Sequence, residues 1–238
     1  MTALLSNIAL QWKLNLRDKE IITVYYIVPL VFYLFMSGIF GSIMPGMEKT
    51  IIPTMCVFGA TMGAVLASPT PLIAVFGTDI KKSYLVAGVP LYSAVIVNFI
   101  SAFIHVFMMC CIIVFTAPIL FNATIPTSAT FWIGLVLFII ASLSVSSIIG
   151  LSVKESSKAS MLGQLIFLPT VMLSGIMIPQ SMLPSIFTTI SKLLPGTWGF
   201  ELMCSQSLMV TNIIVLLAMT AVCCVILTVQ VKCIKKDC

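Results

Sequence analysis

Residues 91–120 run for thirty positions without one Asp, Glu, Lys or Arg. Five further stretches, 21–43, 51–76, 130–153, 160–178 and 210–231, are equally free of charge. A helix rises 1.5 Å per residue, so about twenty apolar residues cross a ~30 Å hydrocarbon core. Backbone N–H and C=O groups find no water there and must pair within the segment, which favours helices. Composition closes the soluble alternative. Only 8% of the 238 residues are charged, 60% are hydrophobic and the mean hydropathy is +1.19, whereas a soluble domain carries about 25% charge. The chain reads as an all-α integral membrane protein, a single transmembrane domain over 1–238 with six transmembrane helices.

The few charges orient the spans. Lys13, Arg17, Lys19, Lys81, Lys82, Lys154, Lys158, Lys232, Lys235 and Lys236 fall on one alternate set of connecting segments, and only Lys49 and Lys192 on the other. Lys and Arg accumulate on cytoplasmic loops, so both termini are expected in the cytoplasm, and a bacterial cytoplasmic membrane is the expected location. The net charge of +5 does not point to nucleic acid, because it is split into short clusters between spans.

Residues 1–20 lack the charge order and small-residue cleavage site of a signal peptide. Leu4, Leu5, Ile8, Ala9, Trp12 and Leu16 share a face of about 140° on a helix, while Gln11, Lys13, Arg17 and Asp18 lie off it and Asn15 and Lys19 intrude. The expectation is an interfacial helix with Trp12 at headgroup level.

Much chemistry is missing. There is no G-x-x-x-x-G-K-[ST] loop to cradle a nucleotide and no H-E-x-x-H, and His105 is the one histidine. It falls near mid-depth of the third span, where an ionisable group is a functional candidate; a neutral histidine bonded inside the bundle explains it equally. All seven acids (Asp18, Glu20, Glu48, Asp79, Glu155, Glu201, Asp237) lie at or beyond span ends, so no midplane carboxylate is available to carry a coupling ion. The chain is not expected to be an enzyme or to bind a metal or cofactor. Asn98, with His105, is the candidate polar lining of a pathway. The cysteines form no C-x-x-C pair and read as small buried hydrophobes, although Cys56 and Cys204 both fall near the expected outer face. Cys233 and Cys238 suit acylation, and Asn122-Ala123-Thr124 suits glycosylation, only in a eukaryote. Gly59 and Gly63 form a G-x-x-x-G that lets a helix approach closely, whether the partner is internal or a second subunit. Ser68-Pro69-Thr70-Pro71 should kink or end the second span.

Two connecting segments stand out. In residues 78–88, Thr78 or Asp79 can cap a helix that Gly88 and Pro90 stop. Its lysines, Lys81 and Lys82, flank Tyr84, Leu85 and Ala87; this is either a solvated connector or a lever that docks on a cytoplasmic partner. Residues 179–205 are apolar but interrupted by Pro179, Pro184 and Pro195. Met182, Leu183, Ile186, Phe187, Ile190, Leu193 and Leu194 recur at helical spacing, predicting one amphipathic helix over 180–194, capped by Ser181 with Pro184 in its first turn. At about 22 Å it is too short to cross. A second short helix is expected from near Trp198, and the pair should lie shallowly at the outer face. Broken backbone at membrane depth survives when it is buried or lines a cavity, which suggests an exit gate.

This layout resembles the membrane subunit of a type-2 ABC exporter, the permease class of many drug, antimicrobial-peptide and polysaccharide exporters. The most specific match is Ser174-Gly175 after Leu173, followed by Ile178-Pro179, Leu183-Pro184 and Leu194-Pro195. The rest is architecture: an amphipathic N-terminal elbow helix (1–20, with Trp12, Leu16 and Arg17), a short helix between spans two and three, and six spans. The resemblance implies that 78–88 is a coupling helix contacting a separate ABC ATPase subunit, that ATP and Mg²⁺ are bound there, and that a second permease subunit, identical or related, completes the pathway. This chain has Asp79, Lys81 and Lys82 where the family often has Arg-x-x-Gly or Glu-rich sequence. The implied activity is outward movement of an apolar or amphipathic cargo, such as an antimicrobial peptide or drug, with the fifteen methionines as an adaptable lining. The alternatives are a substrate-binding membrane subunit of a vitamin or metal importer, for which only scattered Asn98, His105 and Gln164 are available, and a non-transporting immunity or anchor protein.

Overall fold

Prolines shape the first two long helices without ending them. In the computed structural model, which describes residues 2–43 and 49–236, the first helix pair is α1 (Thr2–Arg17) and α2 (Lys19–Ile22). Asp18 joins them by accepting from the Glu20 and Ile21 N–H groups at 2.9 and 3.2 Å. A π-turn, Thr23–Ile27, then leads into α3 (Val28–Ile43). Pro29 cannot donate to the carbonyl four residues back and its ring crowds it, so the ladder widens and the Val28 N–H reaches Thr23 instead. The same device recurs in the next helix. There α4 (Ile51–Met62) passes through a π-turn, Gly63–Ala67, into α5 (Pro69–Phe76). The Ser68 N–H bonds to the Gly63 carbonyl at 3.2 Å, one residue before Pro69. The expected break at Ser68-Pro69-Thr70-Pro71 is therefore a wide turn within a continuing helix.

After the short α6 (Ile80–Val86) come α7 (Tyr92–Phe121), α8 (Ala129–Ser152) and α9 (Ser156–Leu173). Helix α7 ends on Asn122, whose φ of 51° is a left-handed conformation that asparagine tolerates. Two short helices follow, α10 (Ser185–Ser191) and α11 (Pro195–Cys204), and then α12 (Val210–Lys236). Among the described residues there is no strand, and five helices are long and apolar enough to cross a membrane: Lys19–Ile39, Ile51–Phe76, Tyr92–Phe121, Ala129–Ser152 and Val210–Lys236. The expected span 160–178 is shorter than predicted. Helix α9 stops at Leu173, its first turns carry Lys158 and Gln164, and Gly175, with φ of +89°, ends any continuation.

Helices α4–α5 and α8 form the centre. Within Ile51–Phe76, 89% of the most apolar window is buried inside the protein, against 17% for Val210–Lys236. Helix α8 packs on α12, α11, α5 and α7. The small residues at these contacts set the spacing. A Cβ on Gly59 would meet Met109 at 2.6 Å and Pro29 at 3.3 Å, and one on Gly63 would meet Tyr25 at 3.0 Å and Val106 at 3.2 Å. The G-x-x-x-G face is thus used inside the subunit, against α7 and the first span. Cys56 lies there too, facing Cys110 rather than Cys204: each sulfur approaches the other residue's carbonyl, at 3.9 and 3.8 Å. All described cysteines are free. Glu48, Asp237, Cys238 and the side chains of Leu4 and Leu5 lie outside the described residues.

Candidate functional site

The chain order places α6, the α8–α9 connection and the end of α12 at one end of the bundle, and Thr50, residues 174–184 and the α11–α12 connection at the other. The α6 end is a small helix seated on α5 and the start of α7, with the ends of α8 and α12 beside it. Its N-terminus is held by Thr78, whose hydroxyl donates to the Ala74 carbonyl at 2.7 Å and accepts from the Ile80 N–H at 3.3 Å. Asp79 makes no capping bond. It pairs with Lys82 at 2.8 Å; the hydrogen bond and charge of Lys82, and then the charge of Lys81, hold its exposed carboxyl below the usual range. Gly88, at φ of +68°, closes the helix, and the Val89 N–H returns to the Tyr84 carbonyl at 2.9 Å. The helix is shorter than 78–88 because Thr78 and Asp79 form its entry and Ala87 and Gly88 its exit.

Tyr84 and Leu85, expected to face a partner, are half-buried. They pack on a cluster made by Leu72 and Phe76 of α5 with Leu91 and Ala94 at the start of α7, against which Leu151 of α8 and Val231 and Ile234 of α12 also pack. The outward apolar groups are Ile80, 47% exposed, and Val86, 90% exposed. They straddle Ser83 on the free side, and no residue of α6 is buried. The spacing i, i+3, i+6 in Ile80-x-x-Ser83-x-x-Val86 was the available clue.

Helix α1 turns part of its expected apolar face inward onto the protein, shifted toward Gln11 and Asn15. Ile8, Gln11, Trp12 and Asn15 turn toward α7, while Leu10, Leu14 and Leu16 are exposed. Asn15, read as an intruder on the apolar face, is 1% exposed. It donates to Ser101 Oγ at 3.2 Å and accepts from Gln11 Nε2 at 2.9 Å. An amide facing hydrocarbon would have no partner, so the face that carries Asn15 turns inward. Trp12 follows it, its ring 5.9 Å from that of His105, which corrects the expected headgroup anchor. Arg17 stays exposed. His105 itself is buried; its Nδ1 and the Tyr26 hydroxyl share a 2.8 Å hydrogen bond and its ring stacks on Tyr25. Asn98 donates to the Ser68 carbonyl at 3.0 Å. Both are packed where the two π-turns meet α7.

At the opposite end the broken stretch resolves into pieces. Gln180–Met182 form a 3₁₀ turn and α10 begins only at Ser185. The predicted helix over 180–194 is divided because Pro184 holds Leu183 extended, at ψ of 137°. Helix α11 starts at Pro195, three residues before Trp198, with the proline in its first turn. It is not shallow. Pro195, Gly196, Thr197, Gly199, Leu202 and Met203 are buried, and a Cβ on Gly199 would lie 2.8 Å from Phe138 of α8. Thr197 Oγ1 donates to the Ser191 carbonyl at 2.6 Å and Trp198 Nε1 to the Lys192 carbonyl at 2.8 Å, locking α10 to α11. Ser174 Oγ donates to the Thr170 carbonyl. Between Gly175–Met182, α11 and the start of α4 lies a cavity of about 920 Å³, lined among others by Pro179, Phe200 and Glu201.

The family model of the ABC-2 type transporter matches residues 2–208. The chain belongs to the ABC-2 type transporter family. It is an integral membrane protein and the membrane subunit of an ABC transporter, a machine whose ATPase is a partner. Among curated proteins, none matches the chain. The matched region of this ABC-2 subunit runs from α1 through the connection before α12, and so includes α6 and the whole broken segment. Glu201 was counted only as an acid near a span end. Its isolation was the missed signal: it is the one acid between Glu155 and Asp237, and its carboxylate accepts from Asn212 Nδ2 at 3.1 Å at the cavity wall.

Proposed function

We propose that this ABC-2 subunit is the permease half of an exporter that moves an apolar or amphipathic cargo outward, driven by ATP and Mg²⁺ held on a separate ATPase. The observation that carries this reading is α6: a helix with no buried residue, with Val86 exposed and Ile80 half-exposed, seated through Tyr84 and Leu85 on a cluster of α5 and the start of α7 that α8 and α12 also cover. A partner that grips Ile80 and Val86 pulls on α5 and the start of α7 through that shared cluster. In this reading both termini are cytoplasmic. Helix α9, about 27 Å long at 1.5 Å per residue, crosses as a sixth span with Ser174–Pro179 completing its depth. A second permease subunit faces the sparsely buried helices, and the segment 174–205 gates the outer end.

The test is co-expression with an ATPase carrying the nucleotide-binding motifs this chain lacks. Co-purification, faster ATP hydrolysis in the presence of the chain and ATP-dependent cargo movement are expected; an ATPase that neither binds nor responds overturns the reading. Topology has its own check. Ser185→Cys should react with an impermeant thiol reagent added outside intact cells, and Ser83→Cys only after permeabilisation. The native Cys204 should stay slow. Packing around its sulfur, and then the negative charge of Glu201, push the thiol up to about 12, so almost no thiolate forms at neutral pH, and its labelling should rise only in strong alkali.

A further inference from the structure

The cavity beside α11 has a chemical character that the export reading leaves open. Its walls are mostly apolar, supplied by Ile176, Met177, Pro179, Phe200 and Met209, with uncharged polar groups between them. Among the described lining residues there is no Lys or Arg, and Glu201 is the one formal charge. Among the described residues the ion pairs are Asp79–Lys82 and Glu155–Lys158, and none of them gives Glu201 a counter-ion. Its Oε2 is fixed by Asn212 Nδ2, a side chain 3% exposed that also reaches the Trp198 carbonyl at 3.5 Å. The carboxylate is thus aimed rather than free to swing away into water.

Such a wall selects by charge. An anionic amphiphile would meet an uncompensated carboxylate in apolar surroundings, where repulsion is least screened. A neutral hydrocarbon would leave that carboxylate desolvated and unpaired, a cost carried by the site. A cation attached to an apolar body gives Glu201 its missing partner while its tail covers the Met, Ile and Phe surfaces. The volume of about 920 Å³ suits a small amphiphile, since pockets for such ligands span roughly 300–1,000 Å³. Methionines at 177, 182 and 209 can repack around tails of different shape.

We propose that this cavity binds the cargo as a cationic amphiphile, an ammonium or guanidinium group on an apolar body, with Glu201 as the counter-ion and Asn212 as the residue that positions it. The proposal rests on the export reading for the word cargo; the binding site itself does not.

The full chain is placed in phosphatidylcholine nanodiscs with Cys204→Ser and a reporter, Met182→Cys, on the cavity wall. Dodecylammonium is expected to slow thiol labelling of the reporter, while dodecyl sulfate and dodecanol, which partition into the same bilayer, do not. Glu201→Gln keeps the shape and the hydrogen bond from Asn212 and should raise the dodecylammonium concentration needed at least tenfold. Adding Gln180→Glu to that variant returns a carboxylate to the same wall and should restore part of the protection, a gain that misfolding cannot mimic. Equal protection by all three probes, or none by dodecylammonium, overturns the site. Protection by phosphatidylethanolamine alone, without added probe, overturns its assignment to cargo in favour of a lipid amine. Because no ATPase or transport is needed for the measurement, loss of protection alongside intact ATP-driven export removes only the site. Protection without any export removes only the export reading.

Discussion

Replacing Ile80 or Val86 by Asp is expected to leave a folded subunit that no longer answers its ATPase. Val86 is 90% exposed and Ile80 47%, so a carboxylate at 86 loses no internal packing and stability should stay within about 0.5 kcal/mol of wild type, with a somewhat larger loss at 80. At a docked interface the same carboxylate is desolvated against apolar surface, and the few anchor residues of an interface cost 2 kcal/mol or more when removed. Stimulated ATP hydrolysis and transport should therefore each fall at least tenfold, with co-purification weakened. Tyr84→Ala provides the contrast. Its ring packs on the helix ends beneath α6, so it should lower thermal stability as well as activity. If Ile80→Asp and Val86→Asp both transport normally, α6 is a connector and not a lever.

Gly199→Val should be the most damaging substitution in the broken segment. A Cβ there already lies 2.8 Å from Cβ and Cγ of Phe138, a ring with 0% exposure in the middle of α8. The ring cannot yield as the end of a flexible chain would, and overpacking a tight contact costs about 1–3 kcal/mol. The upper end is expected, because α11 must lift from α8 and carry the cavity wall with it. Thermal unfolding in detergent should report the loss, and yield should drop. Gly38→Ala serves as control: among the described residues its nearest neighbour would be Phe121, 3.8 Å away, and alanine favours the helix. A Gly199→Val protein as stable as Gly38→Ala would mean that α11 is not seated on α8 as described.

Hydropathy made five crossing helices readable because a long uncharged run in lipid has few alternatives. The bounds of α6 were nearly readable from Thr78, Gly88 and Pro90, whose backbone roles are local. Facing was not. Tyr84 and Leu85 looked like the docking groups because they are the largest apolar residues on the loop; in the fold those same groups have helix ends to cover, leaving Ile80 and Val86 outside. Asn15 looked misplaced on an apolar face until Ser101, 86 residues away, supplied its partner. Beyond its isolation in the sequence, Glu201 carried no sign of its cavity, since three separate segments build the walls. The two π-turns were hidden for a different reason. Proline foretells a disturbed helix but does not say whether it kinks, ends or widens.

The first wide turn has a consequence for what this span can tolerate. Its buried positions, Ile21, Tyr25, Pro29, Tyr33 and Ser37, recur every fourth residue. In a regular helix of 3.6 residues per turn each such step slips by about 40°, so the row would wander around the helix. The surplus residue in Thr23–Ile27 takes back about 100° of that slip and keeps the row on one side. Tyr33 thereby reaches Thr116 Oγ1 at 3.1 Å. Deleting one residue anywhere in that turn would restore a regular coil and swing Tyr33 and Ser37 away from α7, whereas many single replacements would not. This segment is constrained in its count of residues more tightly than in their identity.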